Sequence, residues 1–355
     1  MTTLSLIHQA VAALEARLFV NPFLVVNEAE FQALLQVELL KVFPEEVELS
    51  LGPKVVDRRP GQFLKARRVY RESKIRPGQV GQEPDLIILR NAPQVILAKE
   101  NGAPSRFLCS YDAIIETKMD ASPSQVFSGN CGKALSRRVI ENDLGKWQVP
   151  NESPLVLSII YTANPDWYSG WPQTISVRRA VAQTSPKEPS HSAVNEAICA
   201  YPDAVSSIHR EFLEHPFRYL REKDFETQLF IRMRDRITIG PDEIHPVRCQ
   251  WWSEHKAVLG RKRRHDLVIL TGRTGDLALE VELKTSHSDQ HNWYRTRALT
   301  GEFEAMQKLK SAGSLKRAVF LMFRFGPERW QSDAEALCAR FPSVEFDCRC
   351  SELSA

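Results

Sequence analysis

The chain has 355 residues, of which 43% are hydrophobic and 26% charged, with a formal net charge of +3 at pH 7. This is the composition of a folded globular protein with room for two domains of ordinary size, and it excludes a disordered or fibrous chain. The net charge is too small to argue for a nucleic-acid partner by itself, and no uninterrupted apolar run has the length of a membrane span, so no membrane partner is expected.

Residues 4–18 carry apolar side chains at helical spacing, interrupted by His8, Gln9, Glu15 and Arg17, which suits a helix rather than an export signal. A second helix is predicted through Phe31, Leu34, Leu35 and Leu39. A basic stretch follows at 64–76, containing Arg67 and Arg68 as candidate phosphate contacts. "DLIIL" (85–89) reads as a strand buried on both faces, and "AIIETK" (113–118) as a second strand. A polar, helix-like segment spans 127–142, and "LVLSIIYT" (155–162) closes the unit as a third strand. Residues 177–200, mixing Pro, Ser, Thr and charge in their central part, are assigned to a linker.

The same landmarks then recur in the same order. "NPFLVVNEAEFQALL" (21–35) aligns without gaps to "HPFRYLREKDFETQL" (215–229). "PDLIIL" matches "HDLVIL" (265–270), "AIIETK" matches "LEVELK" (279–284), and "LVLSIIYTANPDW" resembles "AVFLMFRFGPERW" (318–330). The offset between copies is 194 residues at the first landmark and about 163 at the last, so most of the length change falls between landmarks, where loops belong. The chain is therefore expected to hold two tandem α/β domains, 1–176 and 201–355, each a mixed central sheet flanked by helices.

Residues two apart on a strand share a face, so Glu116 projects with Lys118 and Glu282 with Lys284. A lone E-x-K triplet is most often a surface ion pair. Here each follows an apolar run and an aspartate, Asp85 or Asp266, that opens another buried strand. An aspartate and a glutamate on neighbouring strands suit a hard cation such as Mg2+, which takes oxygen ligands and is commonly held by one or two carboxylates plus substrate phosphate. The adjacent lysine supplies the fixed positive charge that a developing phosphorane needs.

With these motifs the chain resembles the PD-(D/E)xK nuclease superfamily, through Pro84-Asp85 with Glu116-Thr117-Lys118 and through His265-Asp266 with Glu282-Leu283-Lys284. In the second copy histidine replaces the motif's proline. The resemblance covers roughly 16–167 and 210–330 and leaves 331–355 unexplained. It implies a restriction-endonuclease-like fold, a Mg2+ site (Mn2+ as substitute) on Asp85 with Glu116 and on Asp266 with Glu282, and hydrolysis of DNA phosphodiesters, one strand per site, in a restriction or phage-defence setting. It also implies a glutamate on the first helix. Glu226 stands there in the second copy and Gln32 in the first, with Glu28 and Glu30 nearby, so the second site is expected to be the fuller one. The competing expectation is a non-catalytic nucleic-acid-binding or assembly protein on the same fold.

Further candidate nucleic-acid contacts are Arg261, Lys262, Arg263 and Arg264 in the second basic run, with Gln307 and Lys308 on the helix after the second E-x-K. Trp251 and Trp252 are either base-stacking rings or a strand pair with one ring in and one out. His287 and His291 are candidates to reach phosphate, or are simply loop residues. Seven cysteines, an odd number without a CxxC pair, suit small buried thiols in a reduced cytoplasm. A protein partner or a homodimer is left open.

Overall fold

The computed structural model describes residues 1–48, 50–51, 65–71, 83–100, 103–147, 154–181, 185–215, 218–219, 222–240, 242–253, 255–260, 262–272, 275–287, 297–325 and 331–351. The chain divides into two compact units, Met1–Pro186 with Phe217–Asp224, and Lys187–Pro216 with Phe225–Ala355.

The first unit opens with helices α1 (Thr3–Val20) and α2 (Glu28–Val42). Short strands follow, β1 (Val47–Glu48), β2 (Ser50–Leu51), β3 (Lys65–Ala66) and β4 (Val69–Arg71), then the long pair β5 (Leu86–Glu100) and β6 (Ala103–Met119). Helices α3 (Pro123–Phe127) and α4 (Arg137–Gly145) lead to β7 (Leu155–Thr162) and β8 (Thr174–Arg178). The second unit contains α5 (His191–Glu214), α6 (Glu222–Arg234, whose first turn belongs to the first unit), β9 (Val247–Ser253), α7 (Lys256–Leu259), β10 (Arg263–Leu270), β11 (Leu277–His287), α8 (Arg297–Ser311), β12 (Leu315–Phe325), α9 (Gln331–Arg340) and β13 (Val344–Ser351).

The two sheets repeat one plan. In the first, β4 and β5 pair antiparallel, β5 and β6 antiparallel, β6 and β7 parallel, and β7 and β8 parallel. In the second, β9–β10, β10–β11, β11–β12 and β12–β13 repeat that sequence of directions. Helices α2 and α6 begin at aligned residues, Glu28 and Glu222, so the repeat read from the chain is matched by elements in the same order.

Both faces of each sheet are covered, which is why the strands read as apolar runs rather than alternating ones. In the first unit Phe31 of α2 stacks on Tyr161 at 5.1 Å, while Ile140 and Leu144 of α4 join a cluster with Ile87, Ile114 and Ile160 on the other face. In the second, Phe225 of α6 stacks on Phe323 at 4.2 Å and Phe303 of α8 on Phe320 at 4.7 Å. Such aromatic pairs each add about 0.5–1.5 kcal/mol beyond the area they bury.

Helix α1 is long and apolar enough to pass for a membrane span. In this unit it packs through one stripe: Ile7, Ala10, Val11, Leu14 and Leu18 are buried, Arg17 pairs with Glu38 of α2 at 2.5 Å, and Glu15 accepts from the Arg178 amide.

Three expectations change. The assigned linker 177–200 shrinks, because β8 runs to Arg178 and α5 starts at His191, capped by the Ser190 hydroxyl on the Ala193 amide. The helix-like segment 127–142 is broken, since Gly129 (φ 71°) and Gly132 (φ 84°) take left-handed conformations between α3 and α4. The tail left unexplained forms α9 and the edge strand β13.

Gly132 matters for the site, because its loop packs on the end of β6 just past the E-x-K. A Cβ there would lie 2.3 Å from the Asp120 carbonyl oxygen, whereas at Gly170 (φ 73°) it would meet open space. Gly170→Ala should carry only the left-handed backbone cost, about 1–2 kcal/mol. Gly132→Ala adds the collision, so its melting temperature should fall further than that of Gly170→Ala. Equal losses would contradict this packing.

Candidate active site

In the first unit the register Leu86↔Ile115 sets Asp85, at the mouth of β5, beside Glu116 on β6. Asp85 Oδ2 accepts from the Thr117 amide at 2.7 Å and its hydroxyl at 3.0 Å. Lys118 Nζ then lies 3.8 Å from Asp85, 3.6 Å from Glu116, 3.6 Å from Asp143 and 4.0 Å from Glu28. One ammonium thus faces four carboxylates drawn from two strands and two helices. Burial would lower the lysine's pKa, but these carboxylates raise it above its usual value. The indole N–H of Trp147, just past α4, donates to Glu116 Oε1 at 2.7 Å and fixes that carboxylate's rotamer.

Negative charge is in excess there. Burial, reinforced by Asp85, pushes the Glu116 carboxyl up to about 7 despite Lys118. Burial, opposed by Lys118, pushes Glu28 up to about 7 as well.

The helix carboxylate of this unit is therefore Glu28, in the first turn of α2. Gln32, the aligned position, is engaged elsewhere, accepting from Arg71 at 2.9 Å. Asp143 and Trp147 were not anticipated from the sequence. They sit in a polar segment with no motif, and only the crossover geometry brings them in.

The second unit repeats the core of this arrangement. The register Leu267↔Val281 sets Asp266 beside Glu282. Asp266 Oδ2 accepts from the Leu283 amide at 3.0 Å and lies 3.3 Å from Lys284 Nζ, which reaches Glu282 Oε1 at 2.7 Å. Glu226 of α6 is joined to Asp266 through Gln250, whose amide nitrogen donates to Glu226 Oε2 at 2.7 Å and to Asp266 Oδ1 at 3.3 Å. Burial and the Asp266 charge push the Glu282 carboxyl well above its usual range.

A buried ionic layer lies under this second site. Arg263 NH2 contacts Glu280 Oε1 at 2.6 Å and Glu282 Oε2 at 3.5 Å, and Arg263 NH1 contacts Glu302 at 2.8 Å. His265 Nδ1 lies 2.9 Å from the same Glu280 oxygen. Burial alone would raise Glu280, but His265 and Arg263 more than reverse that and hold it below the usual range. Removing Arg263 alone would strand these acids, a change that typically costs about 3–5 kcal/mol.

The expected nucleic-acid contacts divide. Arg263 is 6% exposed and consumed by those carboxylates, so it is not a surface phosphate contact. Arg68 is likewise engaged with Asp112 at 2.7 Å and with the Leu89 carbonyl, and Arg67 lies over the Tyr219 ring. Lys262, Arg264 and Lys308 are exposed, and Gln307 and Lys308 line an open groove of about 610 Å3 with Val258 and Glu304. Trp251 is buried while Trp252 is 57% exposed, directly across the strand pair from Arg264. Arg261 and His291 lie outside the described residues, as does the His287 side chain.

Among the described residues, no group of three or more His, Cys, Asp or Glu side chains is arranged to hold a metal ion as it stands. The lysine ammonium takes the position of positive charge in both units. No protein-family model matches the chain, and no curated protein matches it.

The raised Glu116 carboxyl has a consequence for stability. Its ordinary value is 4.5 and its folded value about 7, so between those pH values the folded chain holds a proton that the unfolded chain releases. That contribution is complete below about pH 4.5 and lost as pH rises through about 7. Metal-free melting temperatures should therefore fall more steeply over this window in the wild type than in Glu116→Gln. Parallel profiles would contradict the assignment.

Proposed function

We propose that the chain is a divalent-metal-dependent phosphodiesterase of the PD-(D/E)xK kind, built from two restriction-endonuclease-like units and acting on nucleic acid, DNA first. One observation carries the reading: in each unit an aspartate, Asp85 just before β5 or Asp266 within β10, and the glutamate of E-x-K meet on the lysine of the same triplet. A chance surface ion pair has no reason to recur at equivalent places in two sheets.

The donor chemistry suits Mg2+ or Mn2+, because every anionic group at both sites is a carboxylate and Mg2+ needs only one or two of them beside water and phosphate. The Glu116 carboxyl is pushed up to about 7 by burial first and by Asp85 second, and a cation bound beside it would favour its charged form. Asp85 with Glu116, and Asp266 with Glu282, would hold the ion. Bound there, it would polarise the phosphodiester and acidify an attached water.

The chain's own residues do the rest. Trp147 and Arg263 hold the glutamates in place, and the backbone amides of Thr117 and Leu283 orient the aspartates. Lys118 and Lys284 keep a fixed positive charge where charge builds on the phosphate, an arrangement that needs no reorganisation during reaction. Exposed Trp252, Arg264 and Lys262 near the second site supply a ring and cations of the kind that engage bases and phosphates.

A second reading, a protein that binds nucleic acid without cutting it, has one observation on its side. In the second unit Arg263 shares Glu282 with Lys284, so much of that glutamate's charge is already met within the protein.

Supercoiled plasmid with Mg2+ separates the two. Wild type should give linear product, and Lys118→Ala or Lys284→Ala should each give mainly nicked circles, their own strand's rate falling about 10²–10³-fold. Cleavage unaffected by both substitutions together would overturn the assigned sites, and binding without any cleavage would favour the second reading.

A further inference from the structure

Gln250 lies on β9 with a left-handed backbone, φ 49°, and is 7% exposed. A left-handed glutamine inside a strand is strained, and such strain persists only where the surroundings hold it. Its side chain explains the placement. The amide nitrogen donates to Glu226 Oε2 on α6 and to Asp266 Oδ1 on β10, so one neutral group joins two acids from different elements. The orientation follows from chemistry, because an amide oxygen turned toward two carboxylates would be repelled. Asp266 is thereby divided: Oδ2 serves Lys284, while Oδ1 and Glu226 share the amide.

We propose that Gln250 is a positioning residue for cation binding in the second unit. Its amide N–H holds Glu226 and Asp266 together, and the same amide, turned over, would present Oε1 to a divalent ion bound at Asp266. The side chain then serves both states with one rotation: a donor to two acids when the cation is absent, and an oxygen facing the cation when it is present. The inference rests on the metal-dependent reading for the cation, and not on what the enzyme cuts.

The test is calorimetric titration of the full chain with Mn2+, beside melting in EDTA. Asp85→Asn and Glu116→Gln are introduced throughout so that only the second site responds. Gln250→Glu places oxygens where the donor was. It should melt lower than its parent in EDTA yet bind Mn2+ more tightly, by about tenfold. Gln250→Asn tolerates the left-handed backbone but is too short to span both acids, and it should bind Mn2+ about tenfold more weakly.

A purely structural role makes a different forecast, with both variants melting lower and Mn2+ affinity unchanged. That result would overturn the proposal while leaving the metal reading intact. A parent that takes up no Mn2+ would overturn both. If Gln250→Glu fails to fold, weakened binding by Gln250→Asn supports the proposal and unchanged binding refutes it.

Discussion

The arrangement depends on one electrostatic constraint: a lysine ammonium held among carboxylates at the end of a buried strand. Burying such a group is unfavourable unless its partners are fixed in place, and burying acids without a cation is worse. In the first unit Lys118 answers four acids and still leaves Glu28 and Glu116 with carboxyls pushed up to about 7. A centre of this kind is a poor device for stability. On the proposed function, its sense is to keep carboxylates gathered where a divalent cation would bind.

The two units meet this constraint differently. The first recruits acids from both flanking helices, Glu28 from α2 and Asp143 from α4, and fixes Glu116 with a neutral indole. The second brings Glu226 through Gln250 and fixes Glu282 with a buried arginine that must itself be balanced by Glu280 and Glu302. The shared part is the strand pair with its Asp and E-x-K. The divergent part is what surrounds it. The expectation that the second site is the fuller one therefore becomes a statement about kind: the first gathers four acids around one lysine, and the second holds a denser ionic network built on Arg263.

Much of this was legible in the chain. The duplication, the paired strands and the Asp, Glu and Lys at their ends follow from period-two geometry and apolar runs, which are local signals. The supporting residues were not. Asp143, Trp147 and Gln250 carry no motif and reach the site only through the crossover connection or a kinked strand. Arg263 looked like a surface phosphate contact because charge runs are read along the sequence, whereas its partner Glu280 lies on the neighbouring strand. Glu28 displaced Gln32 because a helix's rotation about its axis, which decides the residue facing the strand end, is set by packing such as Phe31 against Tyr161. The linker was overdrawn for a related reason. Polar composition marks exposure, and α5 is an amphipathic helix whose first turn already mixes exposed His191 and Ser192 with buried Ala193 and Val194.

The most direct test of the account is where a divalent ion sits. Anomalous diffraction from crystals grown with Mn2+ should show one ion in each unit, one between Asp85 and Glu116 and the other between Asp266 and Glu282. Crystals that bind Mn2+ at neither pair, with Lys118 and Lys284 still closed on their carboxylates, would contradict it.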